Sequence, residues 1–309
     1  METQLLLPVV NDVAPYANAH RLPSSIHKKP AAGLSMLLDD SWRVMKLLAH
    51  PRRHFRLHRV LFHKSTRQLY RRHPKLAYKY LVDYASKALS TEQRRMLLAE
   101  HYGFVQKRFV PSFIDAISHD QICLWQLSTE SPRITIHLDF PAKLHTEGDL
   151  CLTLRMDGVE VYRLIFVVGT GASLGVEATQ AILITCIQGL QALPDLRCAT
   201  ALCNDVHPSH VLMEALSGFA QAAGVRTLVG IKTSDQIANT GRIFFSYDDF
   251  FEKYGGVHGD IGAYVMKLPF EQKDILLVAA KHRNRTRARR AFRQAVKESA
   301  AAALAHFIA

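Results

Sequence analysis

The stretch "DVHPSHVLMEALSGFAQAAGVRTLVGIK" (residues 205–232) decides the fold. Val211, Leu212, Ala215, Leu216 and Phe219 recur at three- and four-residue steps, so they line one side of an α-helix. Gly224 stops that helix by letting the chain turn left-handed. "VRTLVGIK" (225–232) then reads as a strand. Upstream, "RITIHLDF" (133–140), "DLCLTLRM" (149–156), "EVYRLIFVVG" (160–169) and "QAILITCIQG" (180–189) are β-branched and aromatic runs broken by turn residues. Asp157-Gly158 joins two of them as a short hairpin. Downstream, "RIFF" (242–245) and "GAYVMKLP" (262–269) add strands. Strands around one long helix predict an α+β layer domain with a mainly antiparallel sheet.

Between those last strands lies "RIFFSYDDFFEKYGG" (242–256). Ser246 and Asp249 stand in the relation of a capping box, each side chain bonding the other's N–H. Phe250, Phe251 and Tyr254 then make a short aromatic helix that Gly255 and Gly256 end. Asp249 is thereby explained by folding; Asp248 gains only from the helix dipole.

Residues 1–33, rich in proline and small polar side chains, read as a flexible leader. Residues 34–119 read as a basic helical region. Met36, Leu37, Trp42, Met45 and Leu48 share one helix side, and Pro51 and Pro74 break the region into segments. In "STEQRRMLLAEHYGFV" (90–105), Ser90 or Thr91 is the expected N-cap and Gly103 the expected C-cap. Residues 120–270 form the α+β domain, and 271–309 an Ala- and Arg-rich basic helix.

The 309 residues carry a net charge of +12, placed unevenly. From Ser41 to Val82 there are twelve Lys or Arg and no acid, and from Ile275 onward eight against Glu298 alone. Residues 83–274 hold sixteen basic and twenty-two acidic side chains. Cationic ends attract phosphate polymers or anionic headgroups, unless they pair with the acidic middle. No apolar run spans a bilayer, and the first twenty residues lack the basic start of a signal peptide. Cys123, Cys151, Cys186, Cys198 and Cys203 form no CxxC pair and read as free thiols of a reducing cytoplasm. Cys198, Cys203, His207 and His210 have the spacing of no common zinc finger, so no metal is expected.

The chain resembles the VirK/YbjX family of Gram-negative bacteria, which is defined by a domain of unknown function. The matching pieces are "CIQGLQAL", "HPSHVLMEALSGFAQAAGVRTLVGI", "FFSYDDFFEKYGG", "YVMKLP" and "KHRNRTRARRAF". The family's Gly-Gly-Leu-Gln-Gly turn stands here as Gln188-Gly189-Leu190-Gln191-Ala192, its signature tryptophan as Phe251, and its arginine-proline pair as His207-Pro208. The resemblance implies a cytoplasmic or inner-membrane-associated bacterial protein linked to virulence, envelope stress and resistance to cationic peptides. It implies no biochemical activity.

The β-β-β-α-β-α-β order is also similar to the acyl-CoA N-acyltransferase (GNAT-like) layout. There a pantetheine arm lies between two parting strands, and a turn with a helix start holds the pyrophosphate. That likeness places acyl-CoA at Gln188, Gly189, Leu190, Gln191 and His207, with Glu177 or Asp248 taking a proton and Tyr247 donating one. A core Tyr247 with a bonded hydroxyl is the commoner arrangement. His207 and His210 are expected as exposed caps, and Gly169-Thr170-Gly171 as a β-turn rather than a phosphate loop. The alternative is a non-enzymatic protein that holds phospholipid headgroups or RNA through Lys281, Arg283, Arg287 and Arg290. No module for sequence-specific DNA reading is present. A cleft between 184–191 and 226–232 lined by polar groups marks the enzyme; one filled by Phe and Leu marks the binder.

Overall fold

A computed structural model describes residues 51–127, 132–141, 146–239, 245–259 and 262–309. The leader, the helix expected around Trp42 and all of the "RIFF" strand except Phe245 lie outside them. The N-terminal part is helical: α1 (Pro51–Leu61), α2 (Arg67–Arg72), α3 (Thr91–Arg108) and α4 (Ser112–Asp115). Ser90 caps α3 with a full capping box to Gln93. Gly103 does not end α3, which runs one turn further, because Tyr102 and Val105 either side of it are buried.

Among the described residues, eight strands follow in one open sheet: β1 (Ile122–Leu127), β2 (Ile134–Asp139), β3 (Leu150–Met156), β4 (Val159–Thr170), β5 (Gln180–Gly189), β6 (Thr227–Gly230), β7 (Val257–His258) and β8 (Tyr264–Lys267). Their order is β1-β2-β3-β4-β5-β6-β8-β7, and only β5 and β6 run parallel. The β1 strand, unread in the sequence, pairs with β2 at the edge. Asp157 and Gly158 take positive φ (50° and 80°) in the β3–β4 turn, as a two-residue hairpin of this hand requires.

Between β5 and β6 run α5 (Leu193–Leu202) and α6 (Pro208–Ala223); α7 (Tyr247–Glu252) and the long α8 (Ala280–Ala305) complete the molecule. Gly224 ends α6 at φ 74°. The five apolar residues predicted for α6 are fully buried, with Phe219 edge-on to Phe166 at 5.0 Å. The opposite side of α6 is covered too, by α8, so Glu214 and Ser217 are also buried. Along α8, Phe292, Val296, Ala300 and Leu304 repeat every fourth residue and form its buried stripe.

Past Phe166 the β3 strand is used up, and α3 takes its place beside β4. Val168 N donates to His101 Nδ1 (3.1 Å), and Thr170 N donates to Glu100 Oε2 (2.9 Å). Glu100 also accepts from Thr170 Oγ1 and Ser173 Oγ. A carboxylate thus fills the place of a phosphate at Gly169–Gly171.

Candidate functional site

The β5–β6 pair is hydrogen-bonded only briefly, at Ile182↔Leu228, Leu183↔Val229 and Ile184↔Gly230. Beyond it β5 continues to Gly189 without β6. Thr185 is the extra residue of a bulge there, since Phe166 opposes Ile184 and Ile165 opposes Cys186. Past Gly230 the two strands no longer pair. What lies in the parting is aromatic. Tyr247 Oη accepts from Ile187 N (3.0 Å) and donates to Ile187 O (3.3 Å), standing in for a neighbouring strand. Phe251 lies flat on Gly230, where an added Cβ would come within 2.3 Å of its ring. Phe245 packs behind Tyr247 at 5.3 Å and Phe250 beside Phe251 at 5.6 Å.

The proposed catalytic residues do not assemble. Burial pushes the Tyr247 phenol far above its usual range. Burial alone would raise the Asp248 carboxyl, but bonds from Thr233 N (3.2 Å), Thr233 Oγ1 and Tyr264 hold it below the ordinary value. Asp248 ties α7 to the turn after β6. The Asp249 N–H bonds Ser246 Oγ at 3.1 Å, the forward half of the expected box. Glu177 is exposed in the loop before β5. Seven residue steps along β5 separate Gln180 from Ile187, about 23 Å at 3.3 Å per step.

The turn expected to hold a pyrophosphate is zipped to β4. Gln188 and Gly189 pair with Arg163 and Tyr162, Leu190 N donates to Val161 O (2.9 Å), and Gln191 Nε2 donates to Glu160 O (2.9 Å). His207 caps α6 by accepting from Ser209 N (3.3 Å), and Pro208 behind it offers no N–H. His207 and His210 are largely covered rather than exposed. Burial lowers the His207 pKa and, with His207, Arg293 and Lys253 adding repulsion, lowers that of His210 to about 4.

The chemistry on the sheet lies on one face, in two rows set by register. One row is Asp139, Cys151, Ile165 and Cys186; the next is His137, Thr153, Arg163 and Gln188. The first row ends beside the strand parting. Arg155 reaches Asp139 (3.4 Å) and Glu160 (3.3 Å), and Arg163 reaches Glu160 (2.8 Å). Thr153 donates to Asp139 at 3.3 Å. From the β3 approach Glu147 accepts from Gln236 at 3.3 Å. Among the described residues, four buried polar atoms here find no hydrogen-bond partner: His137 Nδ1, Arg155 Nε, Arg163 Nε and Gln236 Oε1. Burial raises Asp139 to about 6, an effect that Arg155 only partly offsets. Such a carboxyl can exchange a proton near neutrality. Burial holds Cys151 and Cys186 as thiols, far from thiolate. The alternation Thr135, His137, Asp139 within "RITIHLDF" is the signal that sequence reading took for an ordinary strand.

Asp139→Asn therefore stabilises the protein above pH 6 and changes little below pH 4. The folded pKa lies above the unfolded one, so the native state's advantage is complete below about 4 and is lost as pH rises through 6. The gain is about 1–3 kcal/mol at pH 7.5. Urea titrations at pH 4 and 7.5 check it; equal gains at both would refute the account.

The basic helix divides. Arg285 and Arg289 pair with Asp205 (2.8 and 3.7 Å), and Arg293 with Glu214. The four residues singled out in the sequence behave otherwise. Arg283 donates to Val278 O (2.9 Å) and Leu276 O (3.0 Å), Arg290 to Lys273 O, and Arg287 to Asn284 Oδ1 (3.4 Å). Together with Lys281 they meet no carboxylate among the described residues. In the turn before α8, Leu276 is 67% and Leu277 69% exposed. Among the described residues no three potential ligands gather for a metal, no helix is long and apolar enough to cross a membrane, and all five cysteines are free.

A family model described as "Protein of unknown function (DUF535)" matches residues 43–302. The "Uncharacterized protein YbjX" of Escherichia coli (strain K12) is 23% identical over 231 residues, covering 71% of this chain and 68% of that protein.

Proposed function

We propose, for a chain that belongs to the VirK/YbjX family of proteins of unknown function, DUF535, that it binds the surface of an anionic phospholipid membrane through the N-terminal half of α8 and the turn before it. One observation carries this: a held apolar tip at the start of a cationic helix. Asp274 caps the turn by accepting from Leu276 N at 2.9 Å, and the Arg283 guanidinium staples it to α8. Leu276 and Leu277 stand out from that fixed turn, and Lys281 and Arg287 follow within the first turns of α8. Aliphatic tips bury into acyl chains while cations meet headgroups. RNA binding calls instead for aromatic platforms on which bases stack, and this tip is aliphatic. The aromatic filling of the strand parting favours this reading over catalysis there.

Co-sedimentation with phosphatidylglycerol vesicles is expected, with little binding to phosphatidylcholine. Each cation near such a surface contributes about 1 kcal/mol, so Lys281→Glu with Arg287→Glu weakens binding by roughly 30-fold or more. Leu276→Ser with Leu277→Ser weakens it at any salt concentration. Capture of RNA in preference to vesicles, or indifference to both double variants, overturns the reading.

A second reading is acyl transfer on the polar sheet face, with an acyl-CoA as donor. Its support is the short parallel β5–β6 pair and the Thr185 bulge. In it Tyr247 swings from Ile187 to admit the thioester arm; the acceptor amine bonds to the thioester carbonyl carbon, the C–S bond breaks, and the amine's proton passes to the leaving thiolate through the Tyr247 phenol. Acetyl-CoA that raises the unfolding temperature of the wild type, and of Tyr247→Phe at least as much because its tether to Ile187 is gone, supports it; no shift with any acyl-CoA removes it.

A further inference from the structure

The side of α8 away from the sheet faces a trough that neither reading uses. Its first lobe, a cavity of about 260 Å³, is bounded by His210 and Glu214 of α6, Lys253 and Tyr254 after α7, the 269–273 segment, and Arg290, Arg293 and Lys297 of α8. A second lobe of about 320 Å³ adjoins it and shares Ser217, Pro269 and Lys297. Ala220, Val225 and Leu268 make the second lobe less polar, and Arg226 stands beside them.

The charges of the first lobe do not cancel. Lys253, Lys273, Arg290, Arg293 and Lys297 line it against Glu214 and Glu271 alone. Arg293 is committed to Glu214, and Arg290 is steered by the Lys273 carbonyl. Lys253, Lys273 and Lys297 make no ion pair among the described residues. The floor is fixed: His210 Nδ1 and Tyr254 Oη are hydrogen-bonded at 2.7 Å, and Phe270 packs on Tyr254 at 4.6 Å. Lysines aimed into a shared concavity repel one another unless an anion sits between them. Lys and Arg together suit a phosphate group, the ammonium as a point charge and the guanidinium as a fork.

We infer that this trough is a binding site for a phosphate-bearing molecule, whose phosphate or pyrophosphate lies among Lys253, Lys273, Arg290 and Lys297, and whose less polar body extends along Val225 and Leu268. The site goes beyond membrane adsorption: it is a concave pocket on the middle of α8, behind the leucine turn, and a soluble ligand can fill it.

Isothermal titration with inorganic pyrophosphate tests it. Binding is expected, weakening steeply as chloride rises. Lys253→Gln with Lys297→Gln lowers affinity at least tenfold with an unchanged circular dichroism spectrum. Arg71→Gln, exposed on α2 and outside the trough, leaves it unchanged. Competition separates two sources of the phosphate. If phosphatidylglycerol vesicles displace pyrophosphate from the wild type and from the Leu276→Ser, Leu277→Ser variant alike, the site takes a headgroup. If vesicles leave pyrophosphate bound, it takes a free phosphorylated ligand. Absence of heat with pyrophosphate, or full affinity in the double lysine variant, overturns the inference. The leucine variants keep its failure distinct from that of the membrane reading.

Discussion

Asp149→Leu is expected to lose about 3–5 kcal/mol of stability. The carboxylate lies at the start of β3 with its side chain, like that of Lys79, wholly shielded from water. It accepts from Lys79 Nζ at 2.6 Å, Tyr102 Oη at 2.6 Å and Tyr84 Oη at 2.5 Å, and Lys79 Nζ stands 4.3 Å over the Tyr84 ring. Three segments of the helical N-terminal part are thereby fastened to the sheet at one atom group. Deleting the carboxylate leaves a buried ammonium without its counter-charge and two phenols without their shared acceptor in a dry site, a loss larger than apolar packing returns. Burial already lowers the Lys79 pKa against the pull of Asp149, so the variant's lysine sheds its proton instead of staying charged. Removing both partners, as in Lys79→Met with Asp149→Leu, costs far less than the two single changes added. Urea denaturation of the four proteins measures that coupling. A single-variant loss below about 1 kcal/mol would mean that water reaches the cluster.

The α6–β6 core was legible because its signals are local. Apolar spacing, a helix-ending glycine and a β-branched run all fall within 28 residues of one another. The β5 strand and the turn at Asp157-Gly158 were legible for the same reason. The extension of α3 past Gly103 was not, because tertiary burial of Tyr102 and Val105 outweighs the roughly 1 kcal/mol that an internal glycine costs a helix. Asp139 escaped notice because its raised pKa arises from strands 12 and more residues away, which register alone brings alongside. Asp248 and Tyr247 were legible as residues, but what they bond was not. Their partners, Thr233 and the Ile187 backbone, are supplied by the fold. In the basic tail, composition revealed the charge; only geometry separates Arg285, Arg289 and Arg293, which answer carboxylates, from Lys281, Arg283, Arg287 and Arg290, which meet none among the described residues.

Gly218→Val is expected to cost about 3 kcal/mol, and even Gly218→Ala should destabilise. The second claim decides between two physical effects. In an exposed helix, Gly to Ala gains about 1 kcal/mol from propensity. At Gly218 an added Cβ meets the Lys297 carbonyl oxygen at 2.3 Å and the Ala300 Cβ at 2.8 Å. Neither atom can rotate away, since both are fixed to the α8 backbone. Restoring ordinary contact moves the helix by about 1 Å, and overpacking of that kind costs about 1–3 kcal/mol. It outweighs the propensity gain. Valine adds two methyl groups and a stiff χ1 to the same collision. The displacement does not stay local. Helix α8 carries Phe292, edge-on to Trp125 at 5.5 Å, and Ser299, which donates to the Leu124 carbonyl at 2.9 Å, so its shift pulls on the β1 edge. It also carries Arg290, Arg293 and Lys297 away from Lys253 and so widens the trough. Thermal unfolding should therefore fall by roughly 2–3 °C per kcal/mol, and pyrophosphate affinity should fall with it in both variants. A Gly218→Ala protein that melts higher than the parent would show α6 and α8 to lie farther apart, and the trough between them would lose its shape as a binding site.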